Sequence, residues 1–272
     1  MAVDLHLHTI ASDGSLNPIE LIKLASALNL TTISVTDHDS VQSVDESMAA
    51  GNKRGIAVIP GIEMSSDVAG MDIHILGYFI DYKDVEFKKI LSRLRKTRYD
   101  RAQKIVEKLR EMKIDISLDD ILEEAGAGAL GRAHIAKVML KKGYVEDMQS
   151  AFDKYLGRHS PAYVEKTAYS VAEIIKIIHQ AEGIAVLAHP GISHVDKLIP
   201  EFVEAGLQGL EVYHSEHSAQ QTERYLRLAK ELKLITTGGS DCHGPGSSRG
   251  LLIGTVMVPD STAAALFKLK RR

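Results

Sequence analysis

The 272-residue chain has no tryptophan, one cysteine and only 5% aromatic residues. A lone cysteine, Cys242, excludes a disulfide framework within the chain and a thiolate zinc finger. The scarcity of aromatics argues against a base-stacking platform for single-stranded nucleic acid. Positive charge is not in excess: 33 Lys and Arg stand against 36 Asp and Glu, a net charge of −3. No global field draws a polyanion, so duplex DNA is not an expected partner. An anionic ligand must be held by local cations or metals. No apolar run is long enough to span a bilayer, and no signal peptide precedes the first apolar alternation. The expectation is a cytoplasmic protein without a membrane partner. Hydrophobic residues make up 44% and charged residues 25%, material for one large α/β domain or a domain plus an insertion.

What is present starts with DLHLHTIASDG, Asp4 to Gly14. Val3, Leu5 and Leu7 alternate with period two, which predicts a buried strand. His6 and His8 share that period and so face together, opposite the leucines. An isolated HxH is as often a hydrogen-bonded pair as a metal site. The rest of the chain must decide.

The first part alternates strand and helix. NPIELIKLASALN predicts a helix with Asn17 as N-cap and Glu20 completing a capping box. TTISVTDHD predicts a strand, and Ser43 with Glu46 marks another helix start. IAVIPGIEMSS and MDIHILGYFID predict two more strands. The rhythm implies parallel strands covered by helices. From Asp84 to Tyr163 only helical periodicity is found, led by one long amphipathic helix dense in Lys and Arg. It could graze RNA, but its Asp and Glu neighbours favour a solvated face, and its role is left open. Alternation then resumes through IAVLAHPG, GLQGLEVYH and LITTGGSDCH, with LLIGTVMVP as the expected last strand. Residues 1–83 and 164–272 are therefore read as one discontinuous barrel, and 84–163 as a helical insertion.

Polar residues recur where strands finish: His6 and His8 with Asp13 beyond, Asp37-His38-Asp39, Glu63, His74, His189, then Asp241 and His243. In a parallel barrel such ends gather on one face, where active sites sit. Any one of these is unremarkable as a capping Asp or a hydrogen-bonded His. Repetition at almost every strand end points to a shared basin. Mixed imidazole and carboxylate donors without thiolate suit Mn²⁺, Fe²⁺ or Zn²⁺. The ligands are too many for one mononuclear site, so two to three divalent transition metal ions are expected, Mn²⁺ first. Asp37 and Asp39 are candidates to orient His38, with a loop cap as the alternative for one of them. Cys242, between Asp241 and His243, is read as a buried packing residue.

LHLHTIASDG, TDHD, GIE, the His of MDIHILG, AHPG and GSDCH together resemble the PHP (polymerase and histidinol phosphatase) family. The resemblance implies an α/β fold, a distorted (β/α)7 barrel with an inserted all-helical subdomain. It also implies a trinuclear centre that hydrolyses phosphoesters by attack of a metal-bridging hydroxide on phosphorus. Carried over, one metal takes His6, His8, Glu63 and Asp241, a second shares Glu63 and takes His74 and His189, and a third takes Asp13, His38 and His243. The insertion resembles the subgroup acting on nucleoside 3',5'-bisphosphates and on the 5' ends of short RNA. That makes a nucleotide or short RNA the expected substrate. In that subgroup a stretch like Gly131-Arg132-Ala133-His134 lies over the barrel mouth. Arg132 at a helix start, with His134, is the expected phosphate contact, and Arg158 is a weaker one. His214 is a candidate proton donor to the leaving oxygen, with a hydrogen-bonded surface histidine as the alternative. His159, His179, His194 and His217 are read as surface or helix-end residues. Histidinol phosphate is an alternative substrate. Two rival activities stand beside the phosphoesterase. One is an amidohydrolase, which often bridges its metals with a modified Lys where this chain offers Glu63. The second is a non-catalytic polymerase-associated module. The oligomeric state is left open.

Overall fold

A computed structural model describes residues 2–68, 71–126, 128–166, 169–245, 247 and 249–271. Seven strands form one sheet in chain order: β1 (Ala2–Leu7), β2 (Leu30–Val35), β3 (Ala57–Val68), β4 (Met71–Tyr78), β5 (Ile184–Leu187), β6 (Gly209–His214) and β7 (Ile235–Gly239). The sheet nearly closes into a barrel. Residues just past β7 complete the ring, where His8 N–H donates to Cys242 O and Asp241 N–H to His6 O.

Not all strands are parallel. β4 runs antiparallel to both β3 and β5, whereas the other neighbours are parallel. The expected uniform βαβ rhythm fails here because β3 returns directly as β4 without a covering helix. Reversal places the start of β4 at the rim where the other strands end. His74, the fourth residue of β4, thereby joins the strand-end residues. The expected strand over LLIGTVMVP is not formed: residues 251–259 are irregular and lead into helix α11 (Asp260–Lys270).

Helices α1 (Pro18–Ala27) and α2 (Val44–Asn52) cover β1 to β3. The capping box at Asn17 and Glu20 is present. Ser43 precedes α2 but makes no cap bond; its hydroxyl donates to Asp37 instead. Between β4 and β5 come α3 (Val85–Glu111), α4 (Leu118–Ala125), α5 (Arg132–Lys141), α6 (Met148–Ala151), a π turn (Phe152–Leu156) and α7 (Val171–Gln180). The first half of α3 packs Phe87, Leu91 and Leu94 on the outer barrel core beside Ile62, Ile75 and Ile178. Its second half turns Ile105 and Leu109 into a separate core with Ile121, Ile135 and Leu156. The remaining helices α8 (Pro190–Ser193), α9 (Ile199–Glu204) and α10 (Ala219–Glu231) alternate with β5, β6 and β7. Cys242 is fully buried beside Leu7, Leu21 and Ile22, as its place in the strand alternation predicts.

Candidate metal centre

The strand-end residues meet at the barrel rim around Glu63, which is fully buried. Its Oε2 lies 3.2 Å from His6 Nε2, 3.2 Å from His8 Nε2 and 3.1 Å from His38 Nδ1. Its Oε1 lies 2.8 Å from His74 Nδ1 and 3.0 Å from His189 Nε2. One carboxylate is thus wrapped by five imidazoles. Burial alone would raise its pKa, but His38, His74 and His6 outweigh burial and hold it well below the usual range. Asp241 Oδ1 sits 3.0 Å from His8 Nε2 and 3.5 Å from His6 Nε2. Asp13 Oδ1 is 3.2 Å from His243 Nε2, and His8 and His38 close the same corner. Ligand-type atoms of His6, His8, Glu63 and Asp241 lie within 4.8 Å of one another, as do those of His8, Asp13, His38 and His243.

Several of these atoms make no well-formed hydrogen bond despite their close approach: His6 Nε2, His8 Nε2, Asp13 Oδ1, His38 Nδ1 and Glu63 Oε2. Buried polar atoms are normally satisfied, and a group of orphans converging on one basin is what divalent metal ions complete. The donor set of imidazole and carboxylate fits such ions. These clustered side chains could hold divalent metal ions.

Several residues were missed by sequence reasoning. Glu211 on β6 is fully buried; its Oε1 is 3.0 Å from His6 Nδ1, and its Oε2 accepts from His189 N–H at 2.8 Å. A carboxylate behind an imidazole fixes its tautomer and orientation. The signal was a charged residue inside the apolar run GLEVYH. Arg249 donates to Asp241 Oδ2 at 3.0 Å and to Glu216. Arg98 on α3 donates to Asp39 at 2.8 Å, to Ser65 Oγ and to Leu130 O. Asp39 is thereby occupied by Arg98 and Ser65 N–H, and Asp37 by Thr9, Ser12 and Ser43. Neither aspartate bonds His38, so the expected orienting role is corrected. Both instead tie together the loops that carry the site.

The long helix is also not wholly a solvated face. Arg98 and Arg101 turn inward to line a cleft of about 170 Å³ with Asp72, Arg132, Phe152 and Lys166, beside His38 and His74. Arg132 Nη2 lies 2.6 Å from Asp72 Oδ2, and Nη1 donates to Leu156 O. Arg101 has a buried Nη2 with no partner. Burial and the neighbouring Arg98 lower the Lys166 pKa to about 8. His134 is buried, and its Nδ1 accepts from Gly131 N–H, which caps α5. Arg158 sits on an exposed turn after the π turn. His214 is buried rather than on the surface; its Nδ1 accepts from Glu216 N–H, and Nε2 faces Asp241 Oδ2 at 3.6 Å. His217 is likewise half-buried.

The model of the PHP domain matches residues 4–231. The chain belongs to the PHP family. It is 34% identical to the 5'-3' exoribonuclease of Haemophilus influenzae, covering 89% of this chain and 90% of that one. It is 33% identical to the 3',5'-nucleoside bisphosphate phosphatase of Chromobacterium violaceum, covering 90% and 88%. A crystal structure from Bifidobacterium adolescentis, named for metal-dependent phosphoesterase activity, superposes with a TM-score of 0.89 at 30% identity, covering 98% and 95%. As a PHP protein with an intact basin of metal-binding side chains, this chain is a metal-dependent hydrolase.

Proposed function

We propose that the chain is a phosphoesterase that removes the 3'-phosphate of nucleoside 3',5'-bisphosphates and trims short RNA from its 5' end. The observation that carries this reading is the adjacency of two unlike features. One is the basin around Glu63. The other is the cationic cleft of Arg98, Arg101, Arg132 and Lys166, which shares His38 and His74 with it. A metal centre alone cleaves a phosphoester without choosing one. A neighbouring cluster of cations suits a substrate with a second phosphate. The two relatives named for RNA and bisphosphate substrates support it.

We assign His6, His8, Glu63 and Asp241 to one ion, Glu63, His74 and His189 to a second, and Asp13, His38 and His243 to a third, with Mn²⁺ the expected metal. Bound ions would activate water and neutralise charge on the phosphoryl oxygens. Arg132 and its neighbours grip the remote phosphate. His214 presents Nε2 to the basin, since its Nδ1 already accepts a backbone N–H, and is our candidate to protonate the leaving oxygen. The helices from α3 to the π turn form the substrate-selecting insertion. The test is a Mn²⁺-supplemented screen of nucleoside 3',5'-bisphosphates, short 5'-phosphorylated RNA, histidinol phosphate and amides. Turnover confined to histidinol phosphate or amides would overturn the reading.

A further inference from the structure

His189 has φ 26° and ψ 60°, a backbone conformation that L side chains rarely adopt. Something must hold it there. The turn that follows it is gripped from outside the basin. Gly191 N–H donates to His217 Nε2 at 3.1 Å, and Gln221 Nε2 donates to Gly191 O at 3.3 Å. The His217 ring is itself fixed, because its Nδ1–H donates to Val212 O at 2.9 Å. Both ring nitrogens are therefore engaged, and the ring is anchored to the strand that carries Glu211 and His214. The fit leaves no slack: a Cβ on Gly191 would lie 2.7 Å from His217 Cδ2 and 2.8 Å from Gln221 Nε2. Gly191 is thus clamped at both its N–H and its carbonyl, two residues beyond His189.

We propose that His217 and Gln221 are positioning residues for metal binding: by clamping the Gly191 turn they hold His189 in its left-handed conformation, aimed at Glu63 and His74. The proposal rests on the assignment of His189 as a ligand made above. Neither residue touches the basin's ligand atoms. Their hydrogen bonds act on His189 through the backbone of the turn, and the His217 ring also lies 5.2 Å from the His214 ring.

The test is metal loading. Full-length protein is stripped with chelator, reloaded with Mn²⁺ and desalted; ions per chain are counted by mass spectrometry, and affinity is read by calorimetric titration. His189→Ala is the control. His217→Ala is expected to weaken one class of Mn²⁺ site by ~10- to 100-fold, the scale for residues that orient a ligand. His217→Gln, whose Oε1 reaches the place of Nε2 and accepts the Gly191 N–H, is expected to restore loading. Gln221→Ala should shift affinity the same way by less, and it reads the clamp even where His217→Ala fails to fold. If both alanine variants load like wild type while His189→Ala loses an ion, the clamp is wrong and the ligand assignment stands. Full loading of His189→Ala would overturn the assignment and the clamp with it. Equal loss in His217→Gln and His217→Ala would show that ring bulk, not the hydrogen bond, matters, and would also overturn the clamp.

Discussion

Arg132→Ala separates binding of the second phosphate from the chemistry at the metals. The side chain is mostly buried, paired with Asp72 and lying over the rings of Phe152 and Tyr163 at 5.7 and 5.8 Å. Its removal does not strand Asp72, which keeps Lys166 at 3.5 Å. Asp72 is itself 40% exposed, so the lost pair costs roughly 1 kcal/mol of stability or less. Binding should suffer more. Among the described residues lining the cleft, the four cations Arg98, Arg101, Arg132 and Lys166 stand with the carboxylates Asp13 and Asp72, and a charge-assisted contact to phosphate contributes roughly 1.5–3 kcal/mol. That predicts a loss of ~10- to 100-fold in kcat/KM on a nucleoside 3',5'-bisphosphate. p-Nitrophenyl phosphate has nothing to place in the cleft and should be turned over almost as before. Arg132→Lys should fall between, because a single ammonium does not serve Asp72 and a phosphate in bidentate fashion at once. Steady-state kinetics on both substrates, with a thermal melt of each variant, decide the matter. Equal losses on the two substrates would refute the specificity role and leave Arg132 to the fold or the chemistry.

Other perturbations read other parts of the site. Glu63→Gln should abolish turnover and reduce Mn²⁺ loading while the far-UV circular dichroism stays intact; near wild-type activity in excess Mn²⁺ would mean that Glu63 bridges nothing. Elemental analysis of Mn²⁺-grown protein should find more than one ion per chain, and full activity at one ion or fewer would sink the multinuclear assignment. Glu211→Gln should weaken Mn²⁺ binding by ~10- to 100-fold, with activity recovered at high Mn²⁺, because it alters the partner of His6 Nδ1 rather than a metal ligand; unrecoverable loss would place Glu211 in the chemistry. Lys166, lowered to about 8 by burial and Arg98, holds its charge below that pH and loses it above. The ratio of kcat/KM on bisphosphate to that on p-nitrophenyl phosphate should therefore fall as pH rises through 8, and a flat ratio would remove Lys166 from phosphate binding. The same shift has a sign for stability: the unfolded chain binds this proton up to its ordinary pKa, so this lysine's contribution to stability rises with pH above 8.

The residues around Glu63 were legible because histidines and carboxylates at strand ends sit in short local motifs, where period-two alternation and turn chemistry act over a few residues. Asp241 and His243 could be placed beside His6 and His8 from the amino-acid pattern alone, since parallel strands end on a common rim. Glu211 was not legible in the same way. It looks like one polar residue in an apolar strand, and only its approach to His6, 205 residues away in sequence, gives it meaning. Asp37 and Asp39 misled for the opposite reason. Adjacency to His38 suggested orientation of that ring, yet their side chains point away to Thr9 and Arg98. The expected strand at 251–259 failed because apolar content alone does not make a strand where no neighbour offers a free edge. Near closure of the barrel had already used the edges of β1 and β7.

The reversed strand explains how cations on the long helix reach the mouth at all. Because β4 runs against its neighbours, it ends at Tyr78 on the far side of the barrel from the basin around Glu63. The chain must then climb back. Eight residues of strand descend roughly 26 Å at 3.3 Å each. A helix rising 1.5 Å per residue covers about 20 Å between Val85 and Arg98. Phe87, Leu91 and Leu94 mark the climb along the outer barrel, and Arg98 is where the helix meets Asp39 and Ser65 at the rim. Beyond it Ile105 and Leu109 no longer face the barrel and build the second core. Arg98 and Arg101 are cations at the height of the mouth because the helix crosses the rim there, which is why charge along α3 read as a solvated face when its path was unknown. Moving those residues by one helical turn, by inserting four residues after Leu91, should keep α3 helical and its later face in register to within about 40°, yet carry Arg98 about 6 Å past Asp39. Activity on bisphosphates should then fall far more than activity on p-nitrophenyl phosphate; parallel losses would show that the height of α3 matters to the barrel and not to substrate choice.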